Sequence, residues 1–371
     1  MTHSPRRFAV PAVLLTLALA ACTPAAGPAP EASSPSATTA DRTPVEAGEA
    51  FLADYVDDDG RVVRRDQGDD TVSEGQAYGM LIAVALEDES TFASIWGWTR
   101  EHLQRPDGLL SWRWVDGAVA DDQPASVADL DAARALALAG EAFDDPTYTE
   151  AATALGRAVL DHETAETDAG RILLAGPWAD SDPYQVNPSY PTPVATRLLA
   201  DLDDDPRWAQ LDDGMRAVVG DLTRDGSLPP NWAQVDGEGL VEAVEGPDGS
   251  AVGFSYDAAR TLVRYAESCD AQDHDVVAGT LETLGTARVL HAQLDLDGTS
   301  ATTDQHPLTH VARAAVRALD GDRTGALGDL RAADALLERY PTYFGSAWAA
   351  LGRLTLETDL LGGCPPLERE R

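Results

Sequence analysis

Two acid-bearing stretches, far apart in the chain, carry the residue types needed for proton transfer. The first, Ser73-Glu74-Gly75-Gln76-Ala77-Tyr78-Gly79-Met80, runs directly into the apolar residues Leu81 to Leu86. A Ser hydroxyl satisfies a free N–H in the first turn of a helix, so Ser73 is expected to cap a helix over Gln76 to Ala85. Glu74 then stands at the mouth of that helix, beside the ring of Tyr78. A carboxyl in a half-apolar site keeps its proton to a higher pH than usual, which is what a general acid requires. The plainer reading is that Glu74 only complements the helix dipole. The second stretch is Gly253-Phe254-Ser255-Tyr256-Asp257-Ala258-Ala259-Arg260-Thr261. Asp257 and Arg260 are three apart and share a helix face, so the guanidinium can hold the carboxylate ionised. An ionised Asp is what a general base requires, although a simple surface ion pair is the plainer reading here too.

A third stretch, Ala125 to Ala133, places Asp129 and Asp131 at the start of a long apolar run, with Ser126 as its expected cap. Trp112 and Trp114 precede it, and Trp178, Tyr184, Tyr190 and Trp232 stand in Gly/Pro-rich loops before later helices. Exposed Trp and Tyr faces stack on the apolar faces of sugar rings, while carboxylates, Arg and Asn grip the hydroxyls. Any one of these rings fits a core equally well. Their concentration in loops beside acid-bearing helix starts is what favours a carbohydrate cleft.

These residues resemble glycoside hydrolase family 8, which includes bacterial cellulases. The matching pieces are Ser73 to Met80, Ala125-Ser126 with Ala128-Asp129, Asn187-Pro188-Ser189-Tyr190, Leu228-Pro229-Pro230-Asn231-Trp232 and Tyr256-Asp257-Ala258-Ala259-Arg260. The resemblance covers nearly the whole domain and implies an (α/α)6 barrel whose open end bears a long cleft. It also implies internal hydrolysis of β-1,4-glucan with inversion, Glu74 being the general acid and Asp257 the base that activates water. Gln76, Tyr78, Trp112, Asp129, Tyr190, Trp232, Tyr256 and Arg260 are the expected substrate contacts. One departure stands out. The family's helix reads Ala-Ser/Thr-Asp-Ala/Gly-Asp, and its first Asp, which lies against the sugar, is Val127 here. That exchange keeps chitosan or xylan open as substrates, and also a glycan-binding protein without turnover.

Helices must position these groups. Apolar residues recur at helical spacing near 43–56, 75–88, 91–104, 126–143, 147–161, 189–202, 206–222, 255–268, 273–290, 305–319, 322–338 and 342–360. Turn clusters such as Asp57-Asp58-Asp59-Gly60, Asp144-Asp145-Pro146 and Asp203-Asp204-Asp205-Pro206 separate them. The pattern predicts an all-α domain of about twelve helices in helical hairpins around a common axis. Leu240 to Val244 is the best strand-like run.

The N-terminus reads as an export signal. Arg6 and Arg7, an apolar run and Leu19-Ala20-Ala21-Cys22 resemble a bacterial lipobox, in which the cysteine receives the lipid. The expected organisation is a signal peptide over 1–21, a lipid-anchored flexible linker over 22–42 and a catalytic domain over 43–371, held at the outer face of a cell membrane as a monomer. The remaining cysteines, Cys269 and Cys364, are candidates for a disulfide, with free thiols equally compatible. A formal charge of -36 argues against a nucleic-acid partner. All basic residues are Arg, which removes lysine Schiff-base chemistry and a P-loop lysine. His162-Glu163 lacks the second His of a zinc helix, no G-x-S-x-G elbow is present, and neither a metal nor a cofactor is expected. Isolated histidines such as His306 and His310 read as structural.

Overall fold

Polar N-caps and prolines set the helix starts. The structure, a computed structural model, describes residues 42–285, 287–361 and 363–367. The expected signal peptide, Cys22 and the linker up to residue 41 lie outside the described residues. Helix α1 (Pro44–Tyr55) begins with a reciprocal capping box between Thr43 and Glu46. It is followed by α2 (Ser73–Ala85), α3 (Glu89–His102), α4 (Ser126–Ala142), α5 (Pro146–His162), α6 (Pro193–Leu202) and α7 (Arg207–Leu222). The C-terminal part adds α8 (Ala258–Ala266), α9 (Ala271–Ala278), the short α10 (Thr280–Leu284), α11 (Pro307–Leu319), α12 (Arg323–Arg339) and α13 (Tyr343–Leu356). Asp88, Asp145, Asp270, Asp322 and Thr342 each cap a helix by accepting a backbone N–H.

The pairings form an (α/α)6 barrel. Hairpins α2–α3, α4–α5, α6–α7, α8–α9 and α11–α12 pack as neighbours, and α13 pairs with α1 to make the sixth. Helices α2, α4, α6, α8, α11 and α13 also touch in sequence, and α13 returns to α2, closing an inner ring. Burial follows this division. Every residue of α8 is buried, and so is nearly all of α2, whereas outer helices α3 and α12 bury only a stripe. Helices α2 and α8 lose their polar face because neighbours cover every side, whereas the inner helix α6 buries only Pro193, Ala195, Thr196 and Leu199.

The run expected over 273–290 is interrupted at Gly279, giving α9 and α10, and its helical part ends at Leu284. Helices α6 and α8 start later than the pattern suggested, at Pro193 and Ala258. Among the described residues, eight short strands also lie in the loops. Strands β1 (Thr71–Val72), β2 (Arg113–Val115) and β3 (Ala118–Asp121) make one antiparallel sheet. Strands β4 (Thr164–Thr167) and β5 (Gly170–Leu173) form a hairpin, and β6 (Tyr184–Val186), β7 (Ala233–Val235) and β8 (Val241–Ala243) form a third sheet. Segments of two to four residues are too short for an alternating pattern to register, so only β8 was anticipated.

Within the barrel, buried arginines tie inner helices together. Arg264 makes a two-pronged pair with Asp131 at 2.6 and 2.5 Å, and Arg134 does the same with Glu267 at 2.9 and 3.2 Å. Cys269 and Cys364 form a disulfide, Cα atoms 5.0 Å apart, which fastens the C-terminal segment beyond α13 to the turn after α8.

Candidate active site

Glu74 is positioned by a strand rather than by a cap. The N–H of Ser73 donates to the carbonyl of Trp112 at 2.9 Å, continuing the β1–β2 pairing into the first residue of α2. Ser73 is therefore already helical, and its buried hydroxyl has no partner, contrary to the capping role expected for it. Ser126 departs in the same way, donating to the Leu174 carbonyl at 2.5 Å instead of capping α4. The start of α8 is held from another loop. The amide oxygen of Asn231 accepts the N–H groups of Ser255 and Ala258, both at 3.1 Å, and its nitrogen donates to Ser255 Oγ at 2.7 Å. Asp257 sits at the N-cap position of the helix that Asn231 closes.

One guanidinium joins the two acids. Arg260 Nη1 donates to Glu74 Oε1 at 3.0 Å and to Tyr78 Oη at 2.9 Å, while Nη2 donates to Asp257 Oδ1 at 2.8 Å. The other oxygen of Asp257 accepts from Asn187 Nδ2 at 3.3 Å. Asn187 is itself fixed, because its amide oxygen accepts from the backbone and hydroxyl of Ser189 at 3.0 and 2.7 Å. Arg260 is fully buried and lies 5.5 Å from the centre of the Tyr190 ring. Burial, the largest influence, lowers its pKa, but Tyr78, Asp257, Glu74 and Tyr190 together outweigh it and raise the value well above normal. Burial also pushes Tyr78 up to about 12, so its phenol keeps its proton. The half-apolar wall expected at Glu74 is thus a cation. The carboxyl's side chain remains 20% exposed and that of Asp257 37%.

The acids lie where cavities meet. A cavity of about 550 Å3 holds Trp112, Trp178, Tyr190 and Trp232 together with Glu74 and Asp257. Another, of about 410 Å3, places Arg64, Tyr256, His306, Tyr343 and Phe344 around the same two acids. A third of about 500 Å3 extends from Asp257 past Trp232, Asn231 and Tyr256 to Gln293. Trp178 and Tyr256 are the most open of these rings, 41% and 38% exposed, and each offers a face to a ligand.

Three of the expected contacts do other work. Gln76 is fully buried: its oxygen accepts from Val62 N at 2.6 Å, and its nitrogen donates to Gly60 O, Ile95 O and Thr99 Oγ1 at 3.2, 3.3 and 2.8 Å. It fastens α2 to α3 and cannot reach a sugar. Asp129 is also fully buried and accepts the N–H of Leu110 at 2.8 Å. Its second oxygen has no partner, and neither does either oxygen of fully buried Glu163. Burial raises the pKa of both acids well above normal, and the charge of Asp129 raises Glu163 further. Arg260 touches the two acids rather than the cavity, so its place is behind them. Tyr78 is buried on the same side but reaches the cavity wall. Val127 is fully buried in the apolar core, so that position offers no carboxylate to a ligand.

Asn187 and Asn231 were missed as functional residues, although both stand inside the motifs that carried the resemblance. Asn has the acceptor and donor needed to hold a carboxylate and a helix start at once, and that was the available signal. Among the described residues, ligand atoms of Cys269, His274 and Cys364 lie within 4.8 Å of one another, and the disulfide engages both sulfurs.

Comparison with known proteins identifies the family. Residues 29–288 match the profile of glycosyl hydrolases family 8. The chain is 36% identical over 217 residues to a probable endoglucanase of Novacetimonas hansenii, covering 57% of this chain and 63% of that protein. It is 31% identical over 223 residues to an endoglucanase of Cellulomonas uda, covering 58% and 61%. The match thus spans a little over three fifths of the length of these curated relatives. Among solved structures, endo-β-1,4-glucanase CMCax of Acetobacter xylinum superposes with a TM-score of 0.73 at 28% identity, covering 85% of this chain and 98% of that one. An endoglucanase of Klebsiella pneumoniae shares the fold, with a TM-score of 0.71 at 23% identity and coverage of 83% and 98%. The chain belongs to glycoside hydrolase family 8.

Proposed function

We propose that this protein hydrolyses β-1,4-linked glucan at internal linkages, by a single displacement that inverts the anomeric carbon. The observation that carries the reading is the convergence of Glu74 and Asp257 on the two nitrogens of one buried guanidinium, at a junction of aromatic-lined cavities. Cavities extending from the acids in more than one direction suit a long chain that is cut internally. In this reading Glu74 protonates the departing glycosidic oxygen, while Asp257 takes a proton from the water that attacks the opposite face of the sugar. Arg260 and Asn187 donate to different oxygens of Asp257 and fix its orientation, so the base meets the water without searching rotamers. Aromatic faces along the Trp112–Trp178–Trp232 side hold the chain against the acids.

A reducing-sugar assay on carboxymethylcellulose or mixed-linkage β-glucan tests the assignment. Glu74→Gln and Asp257→Asn are each expected to lower kcat by about 10²- to 10⁴-fold. Equal product from wild type and both variants would remove them from the chemistry. Val127 favours a second reading of the same chemistry, on chitosan or xylan, because the carboxylate that the resemblance places against the sugar is absent. Relative rates on the three polymers decide between them. If oligosaccharides bind without product after long incubation, the protein is a glycan-binding relative. We further propose lipid attachment at Cys22 and residence as a monomer at the outer membrane face. Labelling with a radioactive fatty acid, lost in Cys22→Ala, tests the anchor.

A further inference from the structure

One turn along α8 from Arg260, the inner ring encloses a polar site apart from the cleft. Arg134 of α4, Arg264 of α8 and Trp348 of α13 line a cavity of about 10 Å3, whose wall also includes Leu81, Val263 and Leu351. That volume has room for one small guest. Each of the three polar residues is at most 3% exposed. The two guanidinium forks are turned onto carboxylates, Arg264 onto Asp131 and Arg134 onto Glu267, and Arg134 Nη2 also donates to the Leu361 carbonyl at 2.6 Å. These contacts engage the Nη atoms and leave both Nε–H groups over.

Arg134 Nε, Arg264 Nε and the indole Nε1 of Trp348 are buried without a hydrogen-bond partner among the described residues. The Arg264 guanidinium lies 5.4 Å from the centre of the Trp348 ring, so two of these donors stand side by side. None of the three groups can accept a hydrogen bond. The residues lining the cavity contribute no unpartnered buried acceptor to set against them. Asp131 and Glu267 also line it, but both oxygens of each carboxylate are held by a guanidinium. A buried donor left unpaired is destabilising, and three around one cavity mark the place of an acceptor. A water accepts from two of them at most and brings protons that need acceptors of their own. A halide accepts from all three and brings none.

We infer that Arg134 Nε–H, Arg264 Nε–H and Trp348 Nε1–H form a binding site for one small monovalent anion, chloride, held between α4, α8 and α13. Two of the three hydrogen bonds come from cations and are therefore of the stronger kind. The Asp131 and Glu267 charges balance the two arginines, so the N–H groups rather than an excess of positive charge select the guest. Polyatomic anions of the size of a sugar acid do not fit the volume. The bound ion links three inner helices beside Tyr78, whose ring meets Trp348 edge-on at 5.6 Å. The site stands apart from the glucan reading and acts on the stability of the inner ring, whatever the cleft hydrolyses.

Crystals of the wild type grown in sodium bromide test the site directly, because bromide is located by its anomalous scattering. One bromide is expected in the cavity, within hydrogen-bond reach of all three nitrogens. In solution, Tm is followed as chloride replaces gluconate at constant ionic strength. Gluconate screens the formal charge of -36 equally and is too large to enter. A saturable rise of about 3–6 °C is expected in chloride. Trp348→Phe keeps a ring against Tyr78 and removes one donor, and the chloride concentration giving half the rise should increase about tenfold, the loss of one hydrogen bond. That readout is independent of the variant's own Tm in gluconate. A water in the cavity with no anomalous signal, or coincident chloride and gluconate curves, overturns the site. A chloride effect that Trp348→Phe leaves unchanged also overturns it, since the ion then binds elsewhere. If Trp348→Phe does not fold, the bromide position in the wild type decides.

Discussion

Two pairs of acids, both brought together from distant parts of the chain, meet opposite fates. Glu74 and Asp257 share the guanidinium of Arg260 and face the cavities. Asp129 and Glu163 are fully buried behind the cleft, with three of their four carboxyl oxygens unpaired and their pKa values raised by burial. The difference is a cation and access to solvent. With both, two acidic side chains can stand at a place where a ligand arrives; without either, burial makes the neutral form of Asp129 and Glu163 the cheaper one. Acids at helix ends look alike in a sequence, and only their surroundings separate one that faces a cavity from one sealed in the core.

The comparison is broken most severely by removing the cation. Arg260→Met leaves two acids and the buried Tyr78 hydroxyl without their donor, and is expected to destabilise the fold by about 1–3 kcal/mol, since the acids keep access to solvent and the enclosed hydroxyl does not. Thermal denaturation measures the loss, and activity on glucan should vanish with it. If Arg260→Met melts with wild type, the guanidinium is not the link between the acids.

The quieter pair is tested by pH. Because Asp129 and Glu163 have raised pKa values in the fold, the folded state keeps protons that the unfolded chain releases above about pH 4. Their contribution is fully present below that pH and is lost as pH rises toward the raised values, by up to about 1.4 kcal/mol per pH unit for each proton retained. Glu163→Gln has no proton to release, so its stability should fall less steeply than that of wild type between pH 5 and 8. Parallel curves would mean that Glu163 is ionised in the fold. Neither residue touches the cavities, and glucan hydrolysis by Glu163→Gln at pH 5 should match wild type.

Much of the scaffold was legible beforehand. Hairpin helices separated by Asp-Pro and Asp-Gly turns announce themselves through apolar spacing, and the observed α1 to α7 and α11 to α13 fall close to the runs identified. The short strands were not legible, yet β1 and β2 aim Glu74 by extending their pairing into Ser73. Gln76 shows the same limit at the site. Its place in the motif that carries the resemblance suggested a substrate contact, but a helix turns about 100° per residue, and the amide points into the α2–α3 interface.

The sequence by itself determined which residue types were available: two acids at helix starts, an arginine one turn after Asp257, a set of loop aromatics and the helical periods that carry them. These are local properties, set by spacing along the chain. The tertiary structure alone decided that Arg260 reaches across 186 positions to Glu74, that Asn187 and Asn231 hold Asp257 and its helix from separate loops, and that Asp129 is sealed away from solvent. Contacts of that kind depend on how an inner ring of six helices closes, and charge, burial and partner are fixed only when it does.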